Sequence, residues 1–260
     1  MQKFKMLITD WGDLNAAIPL ALKYQAGLEV QEFTNPINLK APQDLLDQII
    51  EKTKDISLLS VHGPFSDLIP ASRDPLIRQV AHDRYLHAGD LAHQLRAQHL
   101  VLHSGYIPKT YPGEQWLRNS LEFWIDLLNH YPFEGEIHIE NVYEDNFIEL
   151  KELVDRVNQA YKQERLTICL DIGHVNANST RSFAEWISGL GDRIRYVHIH
   201  NNGGVLDDHW QLEKGTIPIG QVLNLLITYS PKAAWTVETP IDDIEPSLLW
   251  LQERNYIPHS

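Results

Sequence analysis

Arg195-Tyr196-Val197-His198-Ile199-His200 reads as a buried strand with strict alternation. Val197 and Ile199 fall on one face, and Tyr196, His198 and His200 on the other. Amphipathic helical patterns flank it, Ser182–Leu190 before and Gly220–Thr228 after. The same unit recurs along the chain. Short runs rich in apolar and β-branched residues appear at Phe4–Thr9, Leu28–Phe33, Ser57–Val61 and Leu100–His103. They continue at Glu136–Glu140, Thr167–Asp171 and Ala234–Glu238. Helical patterns between them cover Pro42–Ile50, Asp74–Arg96, Glu114–Leu128, Asn146–Tyr161 and Glu245–Arg254. Leu14–Gln25 is the weakest, because Pro19 interrupts it. Strands alternating with helices imply a parallel sheet. Eight such units in 260 residues predict a closed (β/α)8 TIM barrel, α/β in class, as a single domain over residues 1–260. An open doubly wound sheet is the rival architecture.

Composition narrows the function classes. Apolar residues are 43% and charged residues 22%, the profile of an ordinary soluble globular chain. The longest notable apolar run, Ala16–Leu22, is too short to span a bilayer and contains Pro19. The apolar stretch at the N-terminus is too short for a signal peptide, so a cytoplasmic location is expected. Cys169 is the only cysteine, which excludes an intrachain disulfide and a cysteine-rich zinc module. The formal net charge of −13 argues against nonspecific binding to nucleic acid or anionic lipid. Thirteen histidines is a high count, and histidine is the commonest metal ligand, so their positions matter.

Active sites of (β/α)8 barrels lie at the C-terminal strand ends. Here the third strand ends in His62, the fourth in His103, the fifth in Glu140 and the sixth in Asp171, with His174 three residues on. The seventh carries His198 and His200, and the eighth ends in Glu238. Alternation puts Val61, Leu102, Ile139, Leu170, Val197 and Val237 on the helix-facing side. The polar set therefore shares the inward face. One inward His or Glu is ordinarily a hydrogen-bonded core residue, but burying so many together is prohibitive unless a cation holds them. His, Asp and Glu suit zinc, manganese or a similar divalent ion. Asp207 and His209 form an Asp-x-His pair that can close a further site with His174.

The remaining histidines have bland readings. His82, His87 and His93 lie on one helix at spacings that build no ligand pair. His130 suits a helix C-terminus. His99, His138 and His259 receive no role, and Cys169 is expected as a small core residue. The seven tryptophans are expected to pack helices on the barrel, except Trp11 and Trp210, which fall on loops over the site.

Ordered motifs between residues 60 and 240 carry a family resemblance. They include Ser60-Val61-His62-Gly63-Pro64-Phe65, Leu102-His103-Ser104-Gly105, Ile139-Glu140-Asn141 and Asp171-Ile172-Gly173-His174. Val197-His198-Ile199-His200, Asp207-Asp208-His209 and Val237-Glu238-Thr239-Pro240 complete the set. The chain resembles the xylose-isomerase-like barrel superfamily, which includes sugar phosphate isomerases/epimerases and the endonuclease IV (apurinic endonuclease) family. The resemblance implies one metal held by Glu140, Asp171, His198 and Glu238 in the isomerase type. In the nuclease type it implies two more, one on His62, His103 and Glu140, the other on His174, Asp207 and His209. Phe65, Asn201 and Glu213-Lys214-Gly215 depart from the family pattern and leave the metal ligands untouched.

Two enzyme chemistries follow. An isomerase or epimerase of a sugar or sugar phosphate would use one to three divalent ions, zinc or manganese, as Lewis acid. Glu140 and Glu238 would move the carbon-bound proton through an enediolate, and His174 would stabilise the developing oxyanion. Lys214, His200 and Trp11 are then expected toward the substrate. The alternative is phosphoester hydrolysis by a zinc cluster; the non-enzymatic alternative is a barrel that binds metal or a small ligand. The strand-to-helix loops decide for a small substrate. Their five basic residues are Lys40, Arg73, Lys109, Arg181 and Lys214, against twelve acids that are not ligands, the wrong sign for docking nucleic acid. The sequence leaves the oligomeric state open.

Overall fold

A computed structural model describes residues 5–38, 43–131 and 133–258. Phe4, Lys40, Pro42 and His259, named above, lie outside the described residues.

Eight strands close into one parallel barrel in sequential order. They are β1 (Met6–Thr9), β2 (Gly27–Val30), β3 (Leu59–His62), β4 (His99–His103), β5 (Glu136–Glu140), β6 (Thr167–Asp171), β7 (Ile194–Ile199) and β8 (Ala234–Val237). The seam closes with Leu7 opposite Thr236 and Ile8 opposite Val237, both parallel. This is the (β/α)8 barrel that the alternation predicts, and the open sheet is ruled out. The helices are α1 (Leu14–Tyr24), α2 (Gln43–Thr53), α3 (Pro75–Gln94), α4 (Gly113–Leu128) and α5 (Ile148–Tyr161). They continue with α6 (Ile172–Asn178), α7 (Phe183–Leu190), α8 (Ile219–Tyr229) and α9 (Ile241–Glu253). None of them, among the described residues, is long and apolar enough to cross a membrane.

Two cores follow from strand alternation. The outward set, Val61, Leu102, Ile139, Leu170, Val197 and Val237, packs under the helices in one continuous cluster. Trp116, Trp124, Trp186 and Trp235 are fully buried there, as expected of packing residues. The inward set is small: Leu7, Val101, Cys169, Tyr196 and Ala234 plug the barrel interior. Above this plug the inward positions turn polar, and the site begins.

Three boundaries differ from the sequence reading. β2 ends at Val30, so Gln31 leaves the sheet and reaches the barrel mouth. α1 forms intact despite Pro19, because Asp13 caps it by accepting from Ala16 N and Gln25 closes it in left-handed backbone. The segment after β6, where the sequence reading has no helix before Ser182, begins with α6, whose N-cap is Asp171: its Oδ1 accepts from His174 N at 2.7 Å. The cap sets the turn that carries His174 into the site.

Candidate active site

At the mouth of the barrel the strand ends of β3 to β8 converge on one buried group of carboxylates and imidazoles. Glu140 is at its centre. Its Oε2 lies 3.2 Å from His62 Nε2 and 3.3 Å from His103 Nε2. Its Oε1 lies 3.0 Å from His198 Nδ1. The same His198 nitrogen is 3.1 Å from Glu238 Oε2 and 3.7 Å from Asp171 Oδ2. One donor atom each from Glu140, Asp171, His198 and Glu238 lies within 4.8 Å of the other three. Beside this set, Asp207 Oδ2 sits 3.1 Å from His174 Nε2 and 2.8 Å from His209 Nε2. All nine residues proposed as ligands from the sequence are thus brought together.

Four ring orientations share one rule. His62 Nδ1–H donates to Gly63 O at 2.9 Å, His174 Nδ1–H to Asn141 O at 2.7 Å and His209 Nδ1–H to Glu238 O at 3.2 Å. His198 is turned the other way, with Nε2 on Glu29 at 3.1 Å. Each of these imidazoles is anchored through one nitrogen and presents the other to the carboxylates. That is the arrangement of histidines oriented to bind a metal, with the anchor fixing ring and tautomer. The donor set of nitrogen and carboxylate oxygen fits a divalent ion such as zinc.

The charges around these imidazoles favour their protonated forms beside ionised carboxylates. Burial opposes charge on His198, but the carboxylates of Glu238, Glu29 and Glu140 outweigh it and hold His198 well above the usual range. Burial likewise opposes His174, which Asp171, Asp207 and Glu140 hold well above it. Glu140 is held well below the carboxylate range by His198 and His103, against its own burial. His209 is pushed up to about 9, its burial outweighed by the bond to Asp207 and the charge of Glu238.

The site opens into a cavity of about 800 Å3. Its floor is His62, His103, Glu140, His174 and Glu238; its walls carry Phe65, Leu68, Ile107 and Val142. No Lys or Arg is among the lining residues. Trp11 lines it, with its ring edge-on to His209 at 5.0 Å between centroids. Trp210 is half-exposed on the loop after β7.

Two residues expected at the substrate are elsewhere. Lys214 does not line the cavity; its Nζ lies 3.9 Å from Asp243. The loop after β7 folds back through a bridge between Asn201 and Trp210, and the lysine falls beyond it. His200 is fully buried: its Nε2 binds Asp171 at 3.2 Å and its ring stacks 4.0 Å from His209. It supports two candidate ligands from below. A Cβ on Gly173 would collide with the His200 ring. Gly173→Ala is therefore expected to displace His200 and, with it, Asp171 and His209. Thermal stability and divalent-ion affinity should fall together, the stability by about 1–3 kcal/mol.

Sequence reasoning found β2 but assigned none of its residues to the site. Glu29 is fully buried against His198, and Gln31 Nε2 donates to Glu238 Oε1 at 2.7 Å. The signal was present: a glutamate inside an otherwise apolar parallel strand requires a buried partner. Asp10 was also missed. It is buried, and its Oδ1 accepts from Gly12 N at 3.2 Å and Gln31 N at 3.1 Å. Burial pushes its pKa up to about 6 against those two bonds. A folded value above the unfolded one gives stability that is full below about 4 and lost as pH rises through 6. Asp10→Asn keeps an acceptor for both N–H groups without ionising. Its melting temperature should match the parent near pH 4 and exceed it at pH 7, by the equivalent of roughly 2–3 kcal/mol. An equal difference at both pH values would contradict this.

The comparisons with known proteins agree with this fold. The family model for the xylose isomerase-like TIM barrel matches residues 22–258. The chain is 28% identical over 211 residues to the uncharacterized protein MJ1311 of Methanocaldococcus jannaschii, covering 76% of this chain and 68% of that protein. It is similar to the TTHB071 protein from Thermus thermophilus, in a structure from soaking with ZnCl2. That likeness has 25% identity and a TM-score of 0.77, over 98% of this chain and 100% of the other. A D-tagatose 3-epimerase-like protein shares the fold, with 22% identity and a TM-score of 0.74 over 97% of this chain and 99% of the other.

Proposed function

The chain belongs to the xylose isomerase-like TIM barrel family, and from that premise we propose that it is a divalent-metal-dependent isomerase or epimerase of an uncharged sugar. The observation that carries this reading is the pair Glu140 and Glu238, two carboxylates that both meet His198 Nδ1, at the floor of a cavity with no Lys or Arg among its lining residues. Glu140, Asp171, His198 and Glu238 would hold the ion. Bound there, it supplies Lewis-acid polarisation of a sugar carbonyl and its neighbouring hydroxyl. Glu140 and Glu238 reach the substrate carbon from different strands, one to remove the proton and one to return it. His174 Nε2 faces the same space and donates to the oxygen on which charge develops. Gln31 orients Glu238, and the apolar wall around Phe65 and Val142 excludes water from the proton transfer.

Substrate charge and metal count are linked. Glu140, Asp171, Asp207 and Glu238 carry four formal negative charges when ionised. One divalent ion leaves that field negative and suits a neutral sugar; three make it positive and suit a phosphoester. The preformed groups His62–His103–Glu140 and His174–Asp207–His209 favour a second reading, a multi-metal phosphoester hydrolase.

The double substitution Asp207→Ala with His209→Ala separates the two. In the first reading, solvent-proton exchange into a ketose survives within about tenfold, since both residues stand outside the four-ligand set. Loss of a bound ion together with loss of hydrolysis of model phosphoesters would establish the second. The assay is hydrogen exchange by NMR beside a chromogenic ester, with metal content measured on the same samples.

A further inference from the structure

Glu29 is fully buried in β2, does not line the cavity and touches neither solvent nor substrate space. Its two oxygens lie 3.1 and 3.3 Å from His198 Nε2. Ser60 Oγ donates to Oε2 at 3.2 Å. Strands β2, β3 and β7 thus place one carboxylate behind one imidazole. A buried carboxylate is costly unless its bonds are made. The bonds made here converge on the carboxylate from fixed donors, and the one that reaches the site is the bond to His198.

We propose that Glu29 is the positioning residue of the site: it holds the proton of His198 on Nε2 and so aims the Nδ1 lone pair at Glu140, Asp171 and Glu238. This rests on the reading of His198 as a metal ligand. Of the four anchored imidazoles, His198 alone is anchored by a carboxylate; the other three use backbone carbonyls. It is also the one whose free nitrogen meets three carboxylates at once. A charged acceptor makes the ring a stronger ligand than a carbonyl does, and it fixes the tautomer more firmly.

The test uses the full-length chain as wild type, Glu29→Gln and Glu29→Leu, with zinc alone as the probe. Zinc affinity is read by competition with a chromophoric chelator. Imidazole nitrogen NMR of the zinc-loaded protein reads which His198 nitrogen carries the proton. Glutamine keeps an acceptor without charge and should lower zinc affinity about tenfold with the Nε2–H signal retained; leucine should lower it about a hundredfold with that signal lost or shifted. Melting curves of the zinc-free proteins separate positioning from folding. The Glu29→Gln curve should stay within a few degrees of wild type while affinity falls. If wild type binds zinc and Glu29→Gln binds it equally well, Glu29 does not position the ligand. If wild type binds no zinc, the reading of His198 as ligand fails, and this inference fails with it. Should Glu29→Leu not fold, the glutamine variant alone decides.

Discussion

Glu140→Gln is expected to abolish turnover, with a loss of about 10²–10⁴ from the proton-transfer role alone and more where the metal is lost as well. Glu140 is the one residue that touches both sides of the site: His62 and His103 through Oε2, His198 through Oε1. An amide offers one oxygen and one NH2 group, so one of those contacts becomes a donor facing a donor. Glu238→Gln should follow the same pattern with its metal-binding loss smaller, because the Glu238 carboxylate meets only His198 among the cluster imidazoles at hydrogen-bond range, His209 being held by the Glu238 backbone carbonyl. The metal-free Glu140→Gln protein should be less stable than wild type at pH 7. The folded carboxyl is held below its unfolded value, so its contribution is present above pH 4.5 and is lost as pH falls through the lower, folded value. The difference between the two proteins should therefore shrink in acid. Retained turnover in either variant on a true substrate would remove the acid/base assignment.

Adding a divalent ion is expected to raise the melting temperature by about 8–16 °C at a thousandfold excess over Kd, from roughly 4 kcal/mol of linkage in a chain of this size. The metal takes the place of the proton on His198 Nδ1, a ring held above the ordinary imidazole range in its absence. The sign with pH follows. Stability from His198 is full below about 6.5 and lost as pH rises through its higher, folded value, so the metal-free protein should weaken across that interval. The metal-loaded protein should weaken less, because the ion holds that nitrogen. The increment on adding zinc should accordingly be larger at pH 8.5 than at pH 6, in paired melts with and without a chelator. An increment that falls with pH would show that the ion binds elsewhere.

Much of this site can be read from the sequence, because a closed parallel barrel converts alternation into position. Once Tyr196-Val197-His198-Ile199-His200 is a strand, His198 faces inward and Ile199 outward, and the other strand ends obey the same geometry. Residues beyond the strands were less legible. His200 shares the alternation of His198 but lies under His209, where the loop after β7 covers it; pattern gives its face and not its depth. Lys214 lies far past the end of β7, and a bridge between Asn201 and Trp210 decides its direction. α6 escaped notice because its cap, Asp171, is at the same time a member of the site. Glu29 escaped because β2 bears no histidine, and a lone glutamate acquires meaning only beside the imidazole it orients, 169 residues away along the chain.

Glu140, Asp171, His198 and Glu238 are proposed to hold a divalent ion at the mouth of the barrel. Anomalous diffraction at the zinc edge, from crystals soaked in a zinc salt, tests it most directly. A peak is expected about 2.0–2.2 Å from His198 Nδ1 and from carboxylate oxygens of the other three residues. A map with no peak among these four side chains, in a protein that is folded and exposed to zinc, would contradict it.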